Sequence, residues 1–182
     1  MKLRLAFTLA LAIGPIGPVG AAVLEARFAV PRGGDIVMQL PDDWSSRADT
    51  SNDNLSTTIT LVPKSGDPFQ IQVTPMAPTQ GGPSLPSAAD LRHFLEQNAN
   101  GIRAQSVESE IRINELAGAS GPGYYYSATD KAPTPGSYAH MTQGVLRVDG
   151  LVVTFTILTN DGQSAVVEQA LTALKTARQV GP

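Results

Sequence analysis

The chain has 182 residues, 42% of them hydrophobic and 16% charged, with 16 acidic residues, 13 basic residues and no cysteine. This composition is typical of a globular domain and argues against an intrinsically disordered chain. The missing cysteine excludes a disulfide framework, a thiolate metal site, a cysteine nucleophile and a lipoprotein anchor, and the net charge of −3 argues against binding to nucleic acid.

Residues 1–22 have the three parts of a secretory signal peptide. Lys2 and Arg4 supply the positive end, residues 5–13 are apolar apart from one threonine, and small residues at 19–22 fit a cleavage site. The apolar run is shorter than the roughly 20 residues that span a bilayer. We therefore expect a periplasmic or secreted protein, with no stable membrane anchor after cleavage and a single domain over residues 23–182. Losing Lys2 and Arg4 leaves 11 basic against 16 acidic residues, a net charge of −5.

Several segments alternate between apolar and polar residues, the pattern of antiparallel strands with one face on a core. The first two are predicted to form a hairpin around the turn at residues 32–35. The predicted strands cover residues 26–30, 36–40, 57–62, 69–74, 107–116 and both arms of 145–158.

The Asp-Gly pair at residues 149–150 predicts a tight hairpin, and this dipeptide favours a type I′ turn. Counting from a two-residue loop places Val148 opposite Leu151 and Gly144 opposite Phe155. The Phe155 ring is then expected to fill the space beside Gly144. The opposite face is mixed rather than polar, which predicts that something covers that side too.

Two segments have helical periodicity. Ser87 followed by Asp90 predicts an N-terminal capping box, and a second helix is predicted from about residue 160 to Arg178, with Lys175 near its C-terminal end. Strands in runs separated by single helices predict an α+β fold with an antiparallel sheet. The expected apolar faces are Leu91, Phe94, Leu95, Asn98 and Ile102 in the first helix and Val167, Ala170, Leu171 and Leu174 in the second.

Three segments rich in polar residues, proline or glycine are predicted to be surface loops. They cover residues 45–56, 75–87 and 130–137.

The pattern resembles the PsbP-like proteins. Residues 40–44, LPDDW, resemble the L-P-x-x-W corner of that family, and residues 113–118, INELAG, resemble a strand that ends in a glycine corner. The resemblance implies an antiparallel sheet flanked by helices, an α/β/α sandwich. It also implies a protein that acts by binding, because members serve mostly as subunits or accessory factors. The family's ion-linked histidine and acidic positions have no recognisable counterpart here.

Residues 121–126, GPGYYY, hold three of the chain's four tyrosines. On a strand, Tyr124 and Tyr126 share one face and Tyr125 takes the other. Tyrosine is enriched at interfaces, so Tyr124, Tyr126, Tyr138 and His140 are the predicted binding residues. Packing of the inward rings in the core is the alternative.

The two histidines offer little catalytic chemistry. His93 is expected on the exposed side of the first helix. His140 is expected opposite Thr159 near the sheet edge, beside Tyr138 and with Asp161 nearby. It is either bonded to a hydroxyl or water there, or it is the base of a hydrolase or lyase. No serine lies in a G-x-S-x-G elbow, so no catalytic residue is assigned.

Residues 49–54, DTSNDN, are rich in oxygen ligands and raise the alternative of a calcium-dependent binding module. They lack the glycine and terminal glutamate of an EF-hand loop, so a solvated loop is preferred. No metal site and no cofactor are predicted. The sequence as a whole predicts a non-enzymatic exported protein that binds another protein or a small ligand.

Overall fold

The computed structural model describes residues 22–53, 55–78 and 84–181. The predicted signal peptide therefore lies, except for Ala22, outside the described residues. The strands are β1 (Val23–Val30), β2 (Gly34–Pro41), β3 (Trp44–Thr50), β4 (Thr57–Pro63), β5 (Gln70–Met76), β6 (Asn114–Glu115), β7 (Gly123–Thr129), β8 (His140–Val148), β9 (Leu151–Thr159) and β10 (Arg178–Val180). The helices are α1 (Ala88–Ile102), followed by a 3-10 turn (Arg103–Gln105), and α2 (Ser164–Lys175).

The central layer is a seven-stranded antiparallel sheet in the order β3-β4-β5-β9-β8-β7-β6. Helix α1 packs on one face, where Leu91 lies in one cluster with Tyr126 and Val145. Helix α2 packs on the other face, where Leu174 shares a cluster with Leu146. The predicted α+β fold, with an antiparallel sheet flanked by helices, is confirmed.

The first hairpin forms as predicted, but it belongs to a second, three-stranded sheet in the order β1-β2-β10. Alternate side chains of β2, among them Ile36 and Met38, join the same core as α2. The prediction that the second helix continues to Arg178 is wrong. The helix ends at Lys175, because the next residues pair with β2 and place Arg178 opposite Val37.

Two strand assignments are also corrected. The sequence predicts a loop at residues 45–56, but β3 occupies the first half of them. Only Trp44 of β3 is buried, which fits an edge strand paired on one side with β4. Residues 107–116 were expected to be a strand, yet only β6 forms there and Val107 is 60% exposed. This segment is instead anchored by Glu108, whose carboxylate accepts hydrogen bonds from Thr129, the last residue of β7.

The β8–β9 hairpin has the predicted register, with Val148 opposite Leu151 and Gly144 opposite Phe155. The type I′ turn is not confirmed, because Asp149 has a φ of 50° whereas Gly150 is outside the left-handed region. Gly150 N–H donates to the Gln179 side chain (2.9 Å), and Gln179 N–H donates to Asp149 (2.9 Å). The turn is thus held by β10, a contact remote in sequence.

Helix α1 begins with the predicted capping box between Ser87 and Asp90. Hydrogen bonds from the Ser87 side chain and backbone lower the pKa of Asp90. The buried face differs from the prediction at two positions. Phe94 is 45% exposed, and the third buried position, after Leu91 and Leu95, is Ala99.

Gly144→Ala should lower the free energy of unfolding by about 1–3 kcal/mol. A Cβ atom there would lie 2.6 Å from the Tyr124 carbonyl oxygen and closer still to the Phe155 ring. Gly101→Ala in α1 is the matched control, because its Cβ would meet nothing within 4 Å. The control should be neutral or more stable by about 0.5–1 kcal/mol. Urea unfolding measures both, and equal stability of the two variants would contradict the packing described here.

Candidate functional site

The tyrosine run divides between two sides of the sheet, as predicted from strand alternation. Tyr126 is fully buried under α1, its hydroxyl donates to the Gln143 side chain, and burial raises its pKa. Tyr126 is therefore a core residue and is not available at a binding surface. Tyr125 packs against the core on the α2 side. Tyr124 is partly exposed, with the Arg92 guanidinium 6.0 Å from its ring centroid.

Tyr138 and His140 line a pocket of about 460 Å³. The pocket lies between the C-terminal end of α1 and the ends of β7, β8 and β9. Tyr124 and Tyr126 do not line it, so the structure brings together only two of the four predicted binding residues. The apolar wall of the pocket is formed by Ile102, Ala128, Met141 and Leu158, and its polar rim by Gln105, Ser106, Asp130, Tyr138 and His140.

His140 has polar contacts on both ring nitrogens. Nε2 lies 2.8 Å from an Asp161 carboxylate oxygen, and Nδ1 lies 3.2 Å from the Thr129 hydroxyl. The residue stands opposite Thr159, as the hairpin register predicted, and the expected proximity to Asp161 is confirmed. The Asp161 side chain is 97% exposed, so solvent weakens its interaction with His140.

Glu108 connects the pocket rim to β7. Its carboxylate accepts hydrogen bonds from the Thr129 N–H (2.9 Å), the Thr129 hydroxyl (2.8 Å) and the Ser106 hydroxyl (2.9 Å). Burial alone would raise the pKa of Glu108, but these hydrogen bonds outweigh it and lower the pKa to about 2. Sequence reasoning missed this residue, because no local pattern links Glu108 to a threonine 21 positions away.

The hydrogen bonds among Glu108, Thr129, His140 and Asp161 determine which of their atoms donate a proton. Because the Thr129 hydroxyl donates to Glu108, it accepts from His140 Nδ1–H. The Asp161 carboxylate also accepts, so both His140 bonds form together only when the ring carries two protons. A neutral ring satisfies one bond at a time. The geometry thus suits an imidazole that donates hydrogen bonds.

The other candidate features are engaged in local structure. Asp49 pairs with Arg47 (2.8 Å). The hydrogen bonds that Asp53 accepts from the Ser51 hydroxyl and the Leu55 N–H lower its pKa. Asn54, the last residue of the proposed calcium loop, lies outside the described residues. His93 is exposed on α1 as predicted, next to Gln97 (2.9 Å).

Across residues 22–53, 55–78 and 84–181, no cluster of three or more histidine, aspartate and glutamate side chains is placed to hold a metal ion. Within those same ranges, no helix is both long enough and apolar enough to cross a membrane.

Comparison with known proteins shows the fold. No family model and no curated protein sequence matches the chain. Among solved structures, the chain resembles cyanobacterial PsbP (CyanoP) from Synechocystis sp. PCC 6803, with a TM-score of 0.54 and 14% identity over 92% of this chain and 99% of that one.

It also resembles LpqN, a protein involved in cell envelope biogenesis of Mycobacterium tuberculosis, with a TM-score of 0.52 and 12% identity over 91% of this chain and 100% of that one. A protein from Bacteroides thetaiotaomicron VPI-5482 matches with a TM-score of 0.51 and 11% identity. The match covers 85% of this chain and 48% of that protein. The chain has the PsbP-like fold, as its sequence pattern predicted.

Glu108→Gln should change how stability depends on pH. Since the folded-state pKa is lowered to about 2, the Glu108 carboxylate stabilises the fold above its ordinary pKa of 4.5, and this contribution is lost as the pH falls towards 2. We expect the variant to be about 1–2 kcal/mol less stable at pH 7, with the difference vanishing near pH 2. Urea unfolding across this range measures it. Glu110→Gln, at an exposed position, is the control, and identical pH profiles for Glu108→Gln and the unchanged protein would refute the role of Glu108.

Proposed function

We propose that the chain is an exported, non-enzymatic accessory protein that binds a small ligand in the pocket at Tyr138 and His140. The observation that carries this proposal is the pocket itself. Its volume of about 460 Å³ lies in the usual range for ligand sites, roughly 300–1,000 Å³. An apolar wall with a few polar groups at the rim is the usual composition of such sites.

Export is supported by the signal-peptide pattern of residues 1–22 and by the position of β1, which begins at Val23. One structural neighbour, LpqN, is described as involved in cell envelope biogenesis, which is consistent with an extracytoplasmic role. Mass spectrometry of protein recovered from the periplasm tests export. The chain should begin at Ala22 or Val23, and an intact Met1 would contradict it.

A hydrolase or lyase based on His140 and Asp161 is the weaker candidate. A general base must accept a proton from the nucleophile. The hydroxyl that contacts His140 is that of Thr129, and it donates its proton to Glu108 and not to His140. Asp161 is too exposed to fix the ring as the buried aspartate of a catalytic triad does. A calcium-dependent module is weaker still, because Asp49 and Asp53 are engaged by their neighbours.

Filling the pocket should abolish ligand binding. Leu158→Trp enlarges a side chain of the apolar wall, whereas Val62→Trp places the same ring on the same sheet face two strands away, at an exposed position. The probe is N-phenyl-1-naphthylamine, an uncharged dye that fluoresces in apolar sites and is excited directly. We expect saturable binding to the unchanged protein and to Val62→Trp, and its loss in Leu158→Trp.

Equal dye binding by both tryptophan variants, or no saturable binding to the unchanged protein, would contradict the pocket as the binding site. Thermal melting of each variant establishes that it is folded. Capture of a protein partner that Leu158→Trp still binds would place the function elsewhere on the surface.

A further inference from the structure

We propose that this pocket selects cationic amphiphiles, molecules with an ammonium head group and an apolar tail. The inference rests on the proposed function and names the chemical class of its ligand. The head group would lie at Asp130 and Tyr138 on the rim, and the tail against the apolar wall.

The apolar wall of the pocket can take an apolar tail. Ile102, Met141 and Leu158 come from α1, β8 and β9 and are only partly buried. Covering them with a ligand removes apolar surface from water, which stabilises a complex by about 25 cal/mol for each Å² buried. The same side chains offer a tail no hydrogen-bonding groups.

The charge of the pocket opposes an anionic head group. Asp130 is the one lining residue with a permanent charge. Behind the rim, Glu108 stays ionised because its hydrogen bonds lower its pKa to about 2, and the Asp161 carboxylate lies beside His140. Three carboxylates therefore lie in or next to the lining, in a mature chain whose predicted net charge is −5. Such a field attracts cations and repels anions.

Two cationic side chains lie next to the pocket but do not line it. Lys131 and Arg103 adjoin lining residues in sequence but are not among them. The Lys131 ammonium donates to the Ala104 carbonyl (3.1 Å), and the Arg103 guanidinium bonds to the Asn100 side chain. Both cationic groups thus bond outside the lining, and Asp130 is the permanently charged side chain that a ligand in the pocket would contact.

Asp130 has capacity for a head group. Its Oδ1 accepts from the Ala132 N–H (2.9 Å), and Oδ2 has no hydrogen-bond partner within the part of the chain that the structure describes. An ammonium presents several donors, of which Oδ2 can accept one. The Tyr138 ring on the same rim adds the attraction of an aromatic face for a cation.

Three probes with the same tail separate charge from apolar contact: octylammonium, octanol and octyl sulfate. Isothermal titration calorimetry of the mature protein at pH 7.5, below the concentrations at which the probes aggregate, gives each Kd. We expect octylammonium to bind roughly tenfold tighter than octyl sulfate, equivalent to about 1.4 kcal/mol, with octanol between them.

Asp130→Asn should remove most of this preference, while its Oδ1 can still accept from Ala132. Asp43→Asn is the matched control, since Asp43 is an exposed aspartate just before the edge strand β3. It should keep the preference for octylammonium. Equal or tighter binding of octyl sulfate to the unchanged protein would overturn the inference, and so would an unaltered preference in Asp130→Asn.

The outcomes also separate this inference from the proposed function. If all three probes bind equally and Leu158→Trp abolishes binding, the pocket is a ligand site without charge selection, and only the inference fails. If no probe binds, or if Leu158→Trp leaves binding unchanged, both fail.

Discussion

Burial of both faces of the β8–β9 hairpin is the constraint on which the rest of the structure depends. Leu146, Val153 and Phe155 point into one core, and Val145 points into the other. A strand pair that is apolar on both sides must be covered on both sides. Helix α2 and the three-stranded sheet cover one face, and α1 covers the other.

The pocket follows from how far α1 extends over this sheet. The helix covers Tyr126 and ends at Ile102, so Met141 and Leu158 at the strand ends remain only partly covered. The chain then leaves the helix through the 3-10 turn and is fastened to Thr129 by Glu108. The wall residues Ala128, Met141 and Leu158 therefore lie on the sheet face that α1 covers, whereas His140, next to Met141 on β8, points to the other face.

Local chemistry made part of the fold predictable from the sequence. The Asp-Gly turn set the register from Gly144 to Phe155, and Ser87 with Asp90 marked the start of α1. Contacts remote in sequence were not predictable. Beyond the buried Trp44, the exposed residues of β3 are held by pairing with β4, and the end of α2 is decided by the pairing of β10 with β2.

At the site, too, features set by the local sequence were predictable and contacts remote in sequence were not. Counting the hairpin register placed His140 opposite Thr159 and near Asp161, as the structure has it. Strand alternation put Tyr124 and Tyr126 on one face, but it does not say that α1 lies over that face and buries Tyr126. Glu108 appeared only as one polar position in an expected strand, because its bonds to Thr129 depend on tertiary structure.

We propose that the pocket at Tyr138 and His140 is where the protein binds its ligand. Two-dimensional ¹H–¹⁵N NMR during a titration with octanol tests it most directly, because an uncharged probe makes the result independent of charge selection. We expect saturable shifts confined to backbone amides around the pocket, such as those of Ser106, Thr129, His140 and Leu158. Shifts centred instead on Tyr124 and Arg92, or no saturable shifts at all, would contradict it.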